Sequence, residues 1–150
     1  MSNNRSKARA AALQGLYQWQ LTGQDVDTID VGFIFQGTRG IDQAYFQELL
    51  QGVPQQQQAL DECLGPFLDR PINEVDPVEC TILRIGAFEL LFRSDIPYRV
   101  VLNEAIELAK RFGAEHGHRY VNGILDKVAR KVRAIEFQAQ ASRRRLQTQR

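Results

Sequence analysis

Residues 96–127 read IPYRVVLNEAIELAKRFGAEHGHRYVNGILDK. Leu102, Ala105, Ile106, Ala109 and Phe112 recur at i, i+3, i+4, i+7 and i+10, one apolar stripe on a helix of about four turns. Gly113 stands just past the last apolar residue, after Lys110 and Arg111, where a helix C′ glycine belongs. A second stripe follows, formed by Val121, Ile124, Leu125, Val128, Val132 and Ile135. Its opposite face carries Arg119, Lys127, Arg130, Lys131 and Arg133. One face of this second helix therefore builds a core and the other is able to meet an anion. The hinge between the helices, AEHGHRY, ends in a basic residue beside an aromatic one.

Outward from this pair, the helical period persists. A first helix is expected from about Lys7 to Leu21, with Ala12, Leu16 and Trp19 on one face and Thr22-Gly23 as its stop. Within the loop from Gln24 to Gly40, the apolar run Val31 to Phe35 predicts a helical turn or two. Tyr45, Phe46, Leu49, Leu50 and Val53 mark a further helix punctuated by Pro54. The four glutamines at 55–58 read as the exposed first turn of the next helix, because Leu60, Cys63, Leu64 and Phe67 continue a stripe behind them. Asp76-Pro77-Val78-Glu79 is the strongest start signal: a good N-cap, proline at N1, and a glutamate at N3 able to close a capping box. The helix it opens is apolar almost all round and is expected to be the central one. Gly86 inside it costs about 1 kcal/mol of helix propensity relative to alanine, which implies close approach of another helix. From Phe137 onward the stripe is poor and the chain polar, so residues 137–150 are expected to form a basic, disordered tail behind a single domain at 1–136. No strand pattern or internal repeat is evident; the fold class is all-α, with about seven helices.

The 150 residues carry 43% hydrophobic and 25% charged side chains, ordinary proportions for a globular domain with a substantial core. No run approaches the roughly 18 apolar residues of a membrane span, and the N-terminus has no apolar signal region. Cys63 and Cys80 each lie among apolar residues and read as buried, reduced thiols. A net charge of +1 conceals segregation: residues 1–24 carry +3, residues 25–118 carry −9 and residues 119–150 carry +7. Two basic ends around an acidic middle point to anionic partners at the ends.

Enzyme signatures are missing: the chain has no phosphate-binding glycine loop, no HExxH and no GxSxG. His116 and His118 are the only histidines and have no third ligand at metal-binding spacing, so they read as solvated hinge residues, and no metal or cofactor is expected. RNA binding is the positive case. Lysine and arginine hold phosphates, and aromatic rings stack on unpaired bases at about 1–3 kcal/mol each. Arg5, Lys7 and Arg9 precede Tyr17 on the first helix, and Arg119 adjoins Tyr120 at the hinge. A core role remains open for both rings: Tyr17 neighbours Leu16 and Trp19, and Tyr120 sits at a helix start.

The strings NEAIELAKRFGAE and RYVNGILDK, with ALQGLYQWQLTG at 12–23, YFQELLQGV at 45–53 and LRIGAFELLFRSDIPYRVVLNEA at 83–105, resemble the NusB family of bacterial transcription antitermination factors. The resemblance covers roughly residues 5–133 and lies in the order and spacing of the strings together. It implies two packed helical subdomains and a non-enzymatic, cytoplasmic factor. Such a factor binds the boxA element of ribosomal RNA transcripts together with NusE, a small-subunit ribosomal protein. The complex then joins NusA, NusG and RNA polymerase to resist termination. It also implies RNA contacts from Arg5, Lys7 and Arg9, with Ser6 interrupting the basic run, and from the pair Arg119 and Tyr120. His116 falls where several members carry an acidic residue. Glu79 has two compatible readings, a capping carboxylate and a contact to NusE. A protein-binding scaffold without RNA contact is the alternative function, and self-association into a homodimer is left open.

Overall fold

Asp76 opens the helix that organises the molecule. Its carboxylate accepts hydrogen bonds from the backbone N–H groups of Val78 and Glu79, each at 3.1 Å, satisfying donors that the first turn leaves unpaired. In the computed structural model, which describes residues 2–113 and 116–148, this helix is α5, Pro77–Phe92. Every residue from Cys80 to Leu90 in it is buried. Around it lie α1 (Ser2–Thr22), α2 (Val31–Phe35), α3 (Gln43–Gln55), α4 (Gln57–Leu64), α6 (Tyr98–Phe112), α7 (Gly117–Val132) and α8 (Ala134–Thr148). Short 3-10 turns at Val26–Thr28, Gly65–Phe67 and Ile72–Glu74 link some of them, and no strand occurs among the described residues.

The apolar stripes read from the sequence meet on α5, except for Ile135, which lies beyond the end of α7 and is exposed. From the N-terminal side, α1, α3 and α4 bring Leu16, Phe46, Leu49, Leu50, Leu60 and Leu64; from the C-terminal side, α6 and α7 bring Val101, Ala109, Val121, Leu125 and Val128. Gly86 has the predicted reason: a Cβ there would come within 2.6 Å of Leu125 Cδ1, so the missing side chain sets the distance of closest approach between α5 and α7. Gly113 ends α6 differently from expectation. Its backbone is extended (φ −90°, ψ 178°) rather than left-handed, and a Cβ would press on the Ala109 carbonyl at 2.7 Å.

α1 runs antiparallel to α5, since Arg9 meets Glu89 near one end while Gln20 donates to the Pro77 carbonyl at 3.0 Å near the other. It runs parallel to α6: Ser6 donates to Glu104 at 2.5 Å, and a groove farther along is lined by Ala10, Leu108 and Arg111. The tail departs from expectation. Instead of becoming irregular after residue 136, the chain forms α8, anchored where Phe137 stacks on Tyr98 with centroids 4.2 Å apart and Glu136 accepts the Tyr98 N–H at 3.0 Å.

Candidate nucleic-acid interface

α1 presents its bases unequally. Arg5 is half-buried, its guanidinium 5.0 Å from the Tyr45 ring centroid, and Lys7 donates to the Arg39 carbonyl at 2.7 Å while remaining partly exposed. Arg9 is a correction. Its side chain is only 2% exposed; Nε donates to Glu89 at 2.8 Å and Nη1 lies 3.4 Å from Glu104. The Tyr45 hydroxyl donates to the same Glu89 oxygen. Burial pushes the Glu89 carboxyl up, and Arg9 and the Tyr45 hydroxyl oppose this by stabilising its charge. A guanidinium buried and paired in this way ties α1 to α5 and α6, and the structure does not present it as a surface cation beside Arg5 and Lys7. Arg133 departs from its predicted anion-facing role for a similar reason. It donates to the carbonyls of Glu89, Leu90, Arg93 and Ile96 at 2.9–3.2 Å, capping the C-terminal end of α5.

The other end of α1 holds Tyr17, which is half-buried. Helix rise places it about 15 Å from Lys7 along the axis. Here α1 approaches the start of α5, through Gln20 and Pro77, and α5 in turn meets the start of α7. Residues 114 and 115 of the hinge lie outside the described residues, and His116 precedes the first turn of α7. Gly117 sits against Glu79, so closely that a Cβ would collide with the carboxylate. Burial and neighbouring Asp76 push the Glu79 carboxyl up, while Arg70 lowers it. The hydrogen bonds from Val78 and Glu79 go to Asp76, and the Glu79 side chain points to α7.

Arg119 is exposed on that first turn, and Tyr120 beside it is half-buried. The Tyr120 hydroxyl donates to Asp69 at 2.9 Å, and the Arg70 guanidinium lies 5.6 Å from its ring centroid. Hydrogen bonds from Arg70 and then Tyr120 hold the Asp69 carboxyl down at about 2. Tyr17, Glu79, Arg119 and Tyr120 thus share one end of the molecule, with Arg5 and Lys7 toward the other end of α1. Sequence reasoning missed Arg70 and Asp69, which lie in a turn segment some fifty residues from Tyr120; no local pattern couples them. Both thiols are pushed up by burial, Cys80 to about 11.

This arrangement defines a class: an all-helical domain with a cation–aromatic surface where helix termini converge. The family model described as the NusB family matches residues 6–130, and the chain belongs to the NusB family. The transcription antitermination protein NusB of Nitrosococcus oceani is 84% identical over 148 residues, 99% of this chain and 100% of the relative. That of Shewanella halifaxensis is 53% identical over 132 residues, 87% of this chain and 98% of the relative. Among solved structures, T. maritima NusB aligns with a TM-score of 0.76 at 30% identity, covering 89% of this chain and 96% of that one. A chain in a crystal structure of the antitermination factors NusB and NusE in complex with dsRNA aligns with a TM-score of 0.75. At 22% identity, over 87% of this chain and 99% of that one, it shows the shared fold.

Proposed function

We propose that this protein is a transcription antitermination factor that binds the boxA element of ribosomal RNA transcripts jointly with NusE, in a larger assembly with NusA, NusG and RNA polymerase. The observation that carries the reading is the near full-length likeness, at 84% identity, to a protein named for transcription antitermination. The surface supports it. Arg5, Lys7 and Arg119 offer cations to phosphates, and Tyr17 and Tyr120 offer partly exposed rings to bases. Glu79 lies one helical turn from Tyr120 across the α5–α7 contact, so a NusE molecule docked on Glu79 would extend the RNA surface. The −9 charge of residues 25–118 complements a basic ribosomal protein.

A mobility-shift assay with boxA RNA, with and without purified NusE, tests the proposal. If three to five phosphates are neutralised, log K falls against log salt with a slope of about −2 to −3.5. Lys7→Glu combined with Arg119→Glu is expected to weaken binding strongly with helical circular dichroism retained, and Glu79→Lys to weaken NusE binding by calorimetry. Unchanged RNA affinity in the charge-reversed variant would instead favour a helical scaffold that binds protein alone.

A further inference from the structure

The family match ends at residue 130, yet the helical structure runs on through α8. On α7, Arg119, Gly123, Lys127 and Arg130 are all exposed. At about 100° per residue they share an arc of about 80°, and Arg119 and Arg130 lie nearly in line, about 16 Å apart along the axis. This cationic stripe begins at the hinge turn and ends in a groove of about 620 Å³, where Arg130 meets Tyr98, Arg99, Phe137, Arg144 and Arg145. The stacked Tyr98–Phe137 pair forms the groove's aromatic wall, with Arg130 5.0 Å from the Phe137 centroid and Arg99 5.9 Å from that of Tyr98. Arg143 lines the adjoining hollow with Pro97, and Pro97 also lines the groove that holds Arg5. The two basic ends of the sequence therefore converge around the start of α6.

We propose that the arginine groove between α8, the start of α6 and the end of α7 is a second binding surface for the sugar-phosphate backbone of RNA, reached from the first by the α7 stripe. The inference rests on the RNA-binding reading of the α1 and α7 surface and extends it. The chemistry favours phosphate. All five cations of the groove and its adjoining hollow are arginines, whose planar forks engage phosphate oxygens in pairs. Two carboxylates lie nearby: Asp126 pairs with the groove's own Arg130 at 3.0 Å, and Glu136, which lines the hollow, pairs with Arg133 at 2.8 Å. A membrane surface would instead call for an exposed apolar face opposite the charges. Phe137 is stacked on Tyr98, the α7 stripe contains no apolar side chain, and Ile135, 83% exposed, is a single apolar side chain on α8 and not a face among the described residues.

The test compares two single-stranded RNAs, a short one confined to boxA and one extended on both sides by unstructured uridine tracts. They are titrated over a salt series with the wild-type chain, with Arg143→Gln/Arg144→Gln/Arg145→Gln and with Arg119→Gln. The triple variant changes exposed positions of a terminal helix, and an unchanged melting curve verifies its fold. On the extended RNA its salt slope is expected to flatten by about 2, with at least about tenfold lower affinity at 0.1 M salt, while the short RNA is bound as by wild type. Arg119→Gln is expected to weaken both. Equal slopes for the triple variant and wild type on the extended RNA would overturn the second surface. So would loss of binding confined to vesicles of anionic phosphatidylglycerol. Failure of the wild-type chain to bind the short RNA would overturn the boxA reading alone, because the extended RNA reports on α8 independently.

Discussion

Tyr120 carries two demands at once. Its hydroxyl is held by Asp69 at 2.9 Å and its ring lies near Arg70, yet the residue remains only half-buried. A base stacking on this ring needs the π-face and not the hydroxyl. Tyr120→Phe is therefore expected to keep RNA affinity, whereas Tyr120→Ala should lose about 1–3 kcal/mol of binding. Fluorescence titration of a labelled boxA RNA, paired with thermal melts of both variants, checks this. An alanine variant that melts far earlier yet binds normally in its folded fraction would make the ring purely structural. At this scale the sequence was legible in part. The adjacency of Arg119 and Tyr120 marked the turn, but the Asp69–Arg70 clamp did not register, because it is brought to Tyr120 only by packing.

At the scale of elements, starts and stripes were the readable features. The Asp76-Pro77 signal placed α5 correctly, since an N-cap and a proline act through local backbone geometry alone. The α8 helix was not readable because its anchors, Phe137 on Tyr98 and Glu136 on the Tyr98 backbone, are tertiary contacts that override a weak stripe. Glycine in helices shows how packing decides the sign of a substitution. Gly86→Ala gains about 1 kcal/mol of helix propensity but drives a methyl group into Leu125, itself fully buried, at an overpacking cost of about 1–3 kcal/mol. A net loss of up to about 2 kcal/mol is expected. Gly123→Ala, in α7 with nothing within 4 Å of the added Cβ, should gain about 0.5–1 kcal/mol. Urea unfolding of the two variants should move in opposite directions; parallel shifts would show that the α5–α7 contact is not set by Gly86.

At the scale of the whole molecule, the segregated charge was legible, but the fate of individual charges was not. Arg9 belongs by sequence to a basic N-terminus and by structure to a buried knot in which α1, α3, α5 and α6 meet at Arg9, Tyr45, Glu89 and Glu104. Its partner Glu89 is 80 residues away, beyond any local pattern. Removing only the cation, by Arg9→Met, leaves Glu89 buried without its counter-ion and should cost about 3–5 kcal/mol. The remaining carboxyl, pushed up by burial, should then hold its proton in the folded state more tightly than in the unfolded one. Stability of that variant should accordingly be greatest below the carboxyl's ordinary range and decline as pH rises through its folded value. Adding Glu89→Leu removes the charge but strands the Tyr45 hydroxyl, at about 1–3 kcal/mol, so Tyr45→Phe completes the apolar replacement. Urea denaturation should find the triple variant close to wild type and free of the pH dependence. Its RNA affinity should match wild type, since Arg9 is enclosed; a clear loss of RNA binding in the folded triple variant would return Arg9 to the RNA surface.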